Sequence, residues 1–142
     1  MRLYVAYKHL DEDESKLRNI LEDISDQIKA SGHSSFIYFR DIQKWNSKSL
    51  KLTPSELILK GFAKLKKCDG VLIIVGSKEK SEGMLLEIGF AKALKKKLFL
   101  AIDKKLDKKE LRFVRGISDF SIEYSDVENL KQKVKILLDK VK

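Results

Sequence analysis

Short, continuously apolar segments alternate along the chain with longer segments in which apolar residues recur at helical spacing. The apolar segments predict strands at residues 2–7, 35–39, 70–75, 98–102 and 120–124. The intervening segments predict helices at residues 13–31, from 53 onward, at 83–94, at 103–115 and from 125 onward. Two of these helices are expected to start with capping boxes, Thr53 with Glu56 and Ser125 with Glu128. The stripe of the first helix is the clearest, since its apolar residues repeat every three or four positions: Leu17, Ile20, Leu21, Ile24 and Ile28.

Regular alternation of strands and helices favours an α/β fold with a doubly wound, five-stranded parallel sheet. We expect the flavodoxin-like strand order 2-1-3-4-5, with helices on both faces, in a single domain over residues 1–142. Ligands of such sheets bind beyond the carboxyl ends of the strands, near the switch between strands 1 and 3. The connections at that edge are residues 8–13, 40–52, 76–82 and 103–109.

Composition disfavours several classes of protein, among them disulfide-bonded, membrane-spanning and metal-binding proteins. Apolar residues make up 43% of the chain, enough for a core, and the single cysteine, Cys68, rules out an internal disulfide. No leader or membrane-length apolar run is visible, so we expect a cytoplasmic protein. The net charge of +9 suits phosphate-bearing ligands, but lysines occur in nearly every segment, which disfavours a dedicated nucleic-acid surface. The sequence contains no His/Cys cluster or nucleotide-cofactor fingerprint, so we expect neither a metal nor a cofactor.

One carboxylate is out of place in an otherwise apolar helix. Glu87 lies between Leu86 and Ile88 in the first turns of the helix that follows the third strand. A carboxylate aimed at a ligand can act as a nucleophile or accept hydrogen bonds from sugar hydroxyls. At the start of the same helix, Ser81, Gly83 and the free backbone amides can bind a phosphate. A solvent-facing Glu and two packing glycines would account for the same residues.

The pattern Ser81-x-Gly83-x-x-x-Glu87-x-Gly89-x-Ala91 resembles the signature of the nucleoside 2-deoxyribosyltransferase superfamily, especially its 2′-deoxynucleoside 5′-phosphate N-hydrolases. The resemblance implies that Glu87 attacks the anomeric carbon of the sugar and forms a covalent glycosyl-enzyme. It also implies that Ser81 and Gly83 hold the 5′-phosphate, so that the substrate is a nucleoside 5′-monophosphate. The base, the sugar, and the choice between hydrolysis and transfer stay open.

Further site residues follow from the same resemblance. Tyr7, as a catalytic residue, or Tyr4, as a substrate-binding one, takes the place of a tyrosine near the sugar and the nucleophile. Asp41, after the second strand, is another candidate substrate contact. Relatives often build the site from two subunits, which implies a homodimer in which Arg112 reaches a phosphate across the interface. The long connection 40–52 also contains Trp45, which can stack on a base or pack on the core.

The chain departs from the superfamily pattern in two places. An acidic residue that helps the base to leave is replaced by Gly61, and the first loop, glycine-rich in the family, is here residues 8–14, with four acids. His9 or an acid of that loop is a candidate substitute proton donor. Without one, the chain would be a nucleotide-binding module without catalysis.

A second resemblance gives a different substrate. The sequence Tyr4-Val5-Ala6-Tyr7, followed by acids, Arg40-Asp41-Ile42 and a helix glutamate, is similar to TIR domains. These share the flavodoxin-like fold. Many cleave the nicotinamide N-glycosidic bond of NAD, and others only self-associate, as signalling domains. Both resemblances make Glu87 the critical carboxylate and an N-glycosidic bond the target.

Overall fold

The computed structural model describes residues 1–8, 10–48, 51–79 and 81–141. Strands and helices alternate along them, with two successive helices between the second and third strands. In chain order, the elements are β1 (Arg2–Lys8), α1 (Glu14–Ala30), β2 (Ser34–Phe36), α2 (Tyr38–Asp41), α3 (Pro54–Lys66), β3 (Gly70–Val75), α4 (Glu82–Ala93), β4 (Lys97–Asp103), α5 (Arg112–Ile117), β5 (Phe120–Tyr124) and α6 (Val127–Asp139).

The sheet has five strands, all paired in parallel, in the order β2-β1-β3-β4-β5. This confirms the predicted fold class and strand order. The central strand β3 is buried along its whole length, as expected for a strand covered by helices on both sides. The switch in strand order falls between β1 and β3, so the carboxyl end of β1 is where a ligand site is expected.

Successive side chains of the strands pack into two separate hydrophobic cores, one on each face of the sheet. Leu3 and Val5 pack with α1 and α6 on one face of the sheet, whereas Tyr4 and Ala6 pack with α3, α4 and α5 on the other. Because neighbouring side chains of a strand point to opposite faces, each residue of β1 belongs to one helix layer only. This alternation decides which tyrosine of β1 can approach Glu87.

Several helix boundaries follow from caps that the sequence contains. Thr53 accepts a hydrogen bond from the backbone N–H of Glu56, whose side chain returns one to Thr53, so α3 starts with the predicted capping box. Ser81 caps α4 through the N–H of Met84. After α1, Gly32 adopts φ +86°, a left-handed conformation that suits glycine.

The second strand is shorter than predicted. It ends at Phe36, and the chain then forms the helical turn α2, which takes up part of the expected strand at 35–39. A hydrogen bond across the turn stabilises it: the Asp41 carboxylate, at its last residue, accepts the backbone N–H of Ile37, just before its first, at 2.9 Å. Phe36, Ile37 and Phe39 are buried. The apolar run therefore belongs to the core, but the backbone changes from strand to helical turn within it.

Two further sequence predictions were wrong in detail. The helix expected at 103–115 forms only at Arg112–Ile117, because the side chains of Asp103 and Asp107 accept the N–H groups of Lys105 and Lys109 and favour turns. The cap of α6 is Asp126, and not the expected Ser125 with Glu128. Asp126 accepts the N–H of Asn129, whose side chain accepts the N–H of Ser125.

Candidate active site

A cleft of about 810 Å³ opens at the carboxyl end of β1, between α3 and α4. Its volume is in the range of pockets that enclose small organic ligands. Most of the wall is apolar, and a few polar side chains converge on it. The described lining residues are Tyr4, Val5, Ala6, Tyr7, Lys8, Tyr38, Phe39, Gln43, Pro54, Ser55, Leu57, Ile58, Gly61, Ser81, Glu82, Gly83, Met84, Leu86 and Glu87.

Glu87 lies in the wall of this cleft with its carboxylate largely shielded from water. Within the described part of the chain, no donor hydrogen-bonds its Oε2 atom, although that atom is buried. Burial raises the pKa of Glu87 above its ordinary value, and the interaction with the Tyr4 hydroxyl offsets part of the rise. A buried acceptor without a donor is costly in a folded protein, and such atoms recur at functional sites.

Tyr4 is the polar neighbour of Glu87. Its ring stacks on Phe36, with ring centroids 5.3 Å apart, which fixes the direction of its hydroxyl. Burial, and then the charge of Glu87, raise the pKa of Tyr4 far above its ordinary value. The hydroxyl therefore stays protonated at every working pH and can serve as a donor but not as a base.

Tyr7 also lines the cleft, but its ring packs in the core of the α1 and α6 face. Burial, with a smaller contribution from Glu14, raises its pKa to about 12. Of the two tyrosines considered from the sequence, the structure therefore brings Tyr4 next to Glu87, whereas Tyr7 packs on the opposite face of the sheet.

The start of α4 supplies potential anion ligands. The Ser81 hydroxyl accepts the N–H of Met84, which leaves its own O–H free to donate. The N–H groups of a first helical turn have no partner inside the helix, and those of Glu82 and Gly83 belong to residues that line the cleft. A Cβ on Gly83 would meet nothing within 4 Å, so a ligand can approach this backbone closely. Lys8 adds a cation to the lining.

Two predicted substrate contacts lie away from the cleft of a single chain, since neither is among its described lining residues. The Asp41 carboxylate pairs with Arg40 at 2.9 Å; burial raises the pKa of Asp41, but hydrogen bonds from Arg40 and from the Ile37 N–H outweigh this effect and lower it. Arg112 is exposed at the start of α5, with its guanidinium 5.0 Å from the ring centroid of Phe113.

Other sequence candidates are accounted for elsewhere in the fold. Trp45 packs edge-on against Phe39 and under the Arg18 guanidinium, 5.1 Å from its ring centroid. It contacts the core and is not among the described lining residues. His9 lies outside the described residues. Gly61 lies directly beside Tyr4 and Glu87, where the resemblance called for an acid.

Tyr38 is a site residue that the sequence did not reveal. Its hydroxyl is buried in the cleft wall, and no partner for it is found among the described residues. Burial raises the pKa of Tyr38, and the nearby charge of Glu87 adds to the rise. The tyrosine fell inside a predicted strand, so no signal separated it from core residues.

No helix in the described ranges has the length and apolar character needed to cross a bilayer. Over the same ranges, no three His, Cys, Asp or Glu side chains come together as a group that could hold a metal ion.

Solved structures with the same fold span nearly the whole chain. A CMP N-glycosidase from Clostridium botulinum, BcmB, is 20% identical, with a TM-score of 0.65 over 96% of this chain and 99% of that one. A conserved protein from Enterococcus faecalis V583 is 15% identical, with a TM-score of 0.66 over 96% and 98%. A 2-deoxyribosyltransferase from Bacillus psychrosaccharolyticus is 15% identical, with a TM-score of 0.62 over 92% and 90%.

These identities are too low to show more than a shared fold. A comparison with curated proteins gave no match. The sequence model of the family described as nucleoside 2-deoxyribosyltransferase, however, matches residues 5–129, which include the end of β1 and Glu87. The chain therefore belongs to the nucleoside 2-deoxyribosyltransferase family.

Proposed function

We propose that this protein cleaves the bond between base and sugar in a nucleoside or deoxynucleoside 5′-monophosphate, with Glu87 as the nucleophile. The observation that carries the proposal is an oxygen of the Glu87 carboxylate that is buried in the wall of a cleft at the switch point of the sheet and accepts no hydrogen bond from the described residues. Family membership supports an N-glycosidic bond as the target. The C. botulinum protein of the same fold is described as a CMP N-glycosidase, which supports a nucleotide as the substrate.

The reaction has two steps. A carboxylate oxygen of Glu87 forms a bond to C1′ while the bond from C1′ to the base nitrogen breaks, and its electron pair leaves with the base, which takes up a proton. Water then attacks C1′ and loses a proton, and the ester bond breaks to restore the carboxylate. The net change is the addition of one water, giving free base and sugar phosphate. In a transferase, a second base would replace the water.

The geometry around Glu87 suits the first step. The carboxylate must be ionised to attack, and Tyr4, whose hydroxyl stays protonated, is the neighbour that favours ionisation. The buried Tyr38 hydroxyl, which is without a partner in the described residues, is available to a hydroxyl of the sugar. Aliphatic side chains of the lining, among them Leu57 and Ile58, offer an apolar surface to the base.

The phosphate is assigned to the start of α4. The O–H of Ser81 and the amides of Glu82 and Gly83 supply donors, and the positive end of the helix dipole favours an anion. Lys8, from the end of β1, supplies a positive charge. The negative charge of Glu82 would repel the phosphate. We therefore place the phosphate on the side of the helix turn that Gly83 leaves open.

The leaving base needs a proton, and Gly61 cannot supply it. Apart from Glu87, Glu82 is the one carboxylic acid among the described lining residues. We propose that the proton comes from Glu82 in its protonated form, from a residue of the loop 8–14 such as His9, or from water. If none of these acts, the chain binds nucleotides without cleaving them, and Gly61 is the observation that favours this second function.

We further propose a homodimer. Leu59 is 59% exposed on α3 and Leu86 is 56% exposed on α4, two neighbouring helices that border the cleft. A second chain against these helices would cover them, and the resemblance to relatives that build the site from two subunits makes the partner's Arg112 a candidate phosphate contact in such a dimer. Sedimentation velocity tests this: Leu59→Lys should shift a dimer toward monomer, and a wild-type protein that stays monomeric at high concentration would contradict the proposal.

The activity is tested by chromatography of released base from ribonucleoside and deoxyribonucleoside 5′-monophosphates, the corresponding nucleosides, and NAD. Glu87→Gln should abolish release while keeping the fold. Glu123→Gln, the same change at an exposed site on β5, is the matched control and should act as wild type. Release from NAD alone would favour a TIR-like activity. Binding of monophosphates without release would favour the binding module.

A further inference from the structure

Helix α3 lies directly beside the proposed nucleophile at Gly61. At this point the helix faces two polar groups from different elements, the Tyr4 hydroxyl from β1 and the Glu87 carboxylate from α4. A Cβ on Gly61 would lie 3.2 Å from the Tyr4 hydroxyl oxygen and 3.3 Å from Oε2 of Glu87. Ordinary van der Waals contacts of a Cβ begin at 3.4 Å, so any side chain here would crowd both groups.

Glycine is an unfavourable choice at such a position. Gly61 is buried in the interior of the helix Pro54–Lys66, where glycine lowers stability relative to alanine. The next buried position of this face, Leu65, holds a large apolar side chain. A core position that lacks a side chain where α3 meets Glu87 therefore calls for a local reason, and the crowding distances supply one.

We propose that Gly61 is a positioning residue: its missing side chain lets the Tyr4 hydroxyl and the Glu87 carboxylate come together against the backbone of α3. This role rests on the proposed function of Glu87 as the nucleophile. It also explains why the acid of the superfamily pattern is replaced by glycine here. An acidic side chain at position 61 would need the volume that the Tyr4 hydroxyl and the Glu87 carboxylate already fill. The proton donor for the base then belongs on another element.

The experiment compares Gly61→Ala with Gly89→Ala. Gly89 is a matched control, since it is also inside a helix but exposed, and a Cβ on it would meet nothing within 4 Å. Gly89→Ala should keep wild-type kinetics and melt at a higher temperature. Gly61→Ala should lower kcat by about 10- to 100-fold with a smaller change in KM, because small misplacements of reacting groups cost rate.

A second readout does not depend on the substrate. Among the described residues, the titratable groups that interact with Glu87 are Tyr4 from β1 and Tyr38 from α2. Displacing the Tyr4 hydroxyl removes the interaction that lowers the pKa of Glu87, so this pKa should rise in Gly61→Ala and stay unchanged in Gly89→Ala. Carbon-13 NMR titration of the glutamate carboxyls, with Glu87→Gln to assign the signal, measures it.

The two proposals can fail separately. If the wild type releases no base from any substrate, the proposed function is wrong, while the NMR titration still decides the role of Gly61. If Gly61→Ala proves unstable, adding Tyr4→Phe removes the atom at 3.2 Å and should restore part of the lost melting temperature. A Gly61→Ala protein that titrates, melts and turns over like Gly89→Ala would overturn the positioning role.

Discussion

The hydroxyl of Tyr4 and the carboxylate of Glu87 meet beside the backbone of α3, although they come from the first strand and the fourth helix of the chain. Both groups are shielded from water, and each affects the ionisation of the other. The tyrosine stays protonated and the carboxylate is held near an O–H donor in an otherwise apolar wall. This pair determines the pH dependence that the site should show.

The rate should depend on the ionisation of Glu87. Burial raises the pKa of this carboxyl, and only the ionised form can attack C1′. We expect kcat/KM to rise with pH through a midpoint above roughly 4.3, the value for an unperturbed glutamate. A pH–rate profile on the preferred monophosphate measures this midpoint. An acid limb at or below the unperturbed value would mean that the reacting carboxylate is not the buried one.

The stability of the protein should also respond to this carboxyl. Because the pKa of Glu87 is higher in the folded state than in the unfolded chain, the folded state binds its proton more tightly. The stabilisation is complete below the unfolded pKa and is lost as pH rises through the folded pKa. Glu87→Gln should therefore gain in melting temperature relative to wild type as pH increases from about 4 to neutral. An equal difference at all pH values would contradict this, and Glu123→Gln again serves as the control.

The Tyr38 hydroxyl should matter to a ligand more than to the fold. An unpaired buried hydroxyl costs about 1–3 kcal/mol, so Tyr38→Phe should be neutral or stabilising in the free protein. Loss of a hydrogen bond to the ligand should raise the Kd for the monophosphate by about threefold to tenfold. Calorimetry of unfolding and of binding measures the two effects.

Tyr124→Phe is the matched variant for this comparison. The Tyr124 hydroxyl is buried on a different strand and donates to the carbonyl of Val75 at 2.9 Å. Its removal should cost about 1 kcal/mol of stability and leave the affinity unchanged. If both variants behave alike in stability and in binding, the Tyr38 hydroxyl has no special relation to the ligand.

Ser81 should have two separable roles. Its hydroxyl caps α4, so Ser81→Ala should lose about 1 kcal/mol of stability. Because it is also assigned to the phosphate, the variant should lose kcat/KM on a monophosphate but not on the corresponding nucleoside. Thr53→Ala removes a comparable cap from α3, outside the described lining. It should lose stability but keep the wild-type ratio of kcat/KM on the monophosphate to kcat/KM on the nucleoside. An unchanged ratio in Ser81→Ala would remove Ser81 from the phosphate site.

Much of the fold could be predicted because burial leaves a strong pattern in the sequence. The strands at residues 70–75 and 120–124 match the structure at both ends, and the cap at Thr53 forms as expected. The helix at 103–115 was misjudged because Asp103 and Asp107 form local hydrogen bonds that compete with a helix. Such competition depends on the exact turn geometry, which the apolar pattern does not record.

The candidate site was predictable in part, and for a different reason. A charged residue between two apolar ones in a helix drew attention to Glu87, which lies in the cleft. The choice between Tyr4 and Tyr7 depends on which face of the sheet each side chain takes, and a strand buried on both faces gives no hint of this. Tyr38 was not predicted, because the turn that brings its buried hydroxyl to the cleft wall depends on the Asp41 carboxylate, which accepts the N–H of Ile37 four residues before it.

The most direct test of Glu87 as the nucleophile is mass spectrometry of the protein after reaction with a 2′-fluorinated nucleoside 5′-monophosphate. The electronegative fluorine slows hydrolysis of a glycosyl-enzyme, so the intermediate should accumulate. A nucleophilic Glu87 predicts a mass increase of one sugar phosphate, located by peptide mapping on Glu87 and missing from Glu87→Gln. Base release without any such adduct, or an adduct on another residue, would contradict the proposed mechanism.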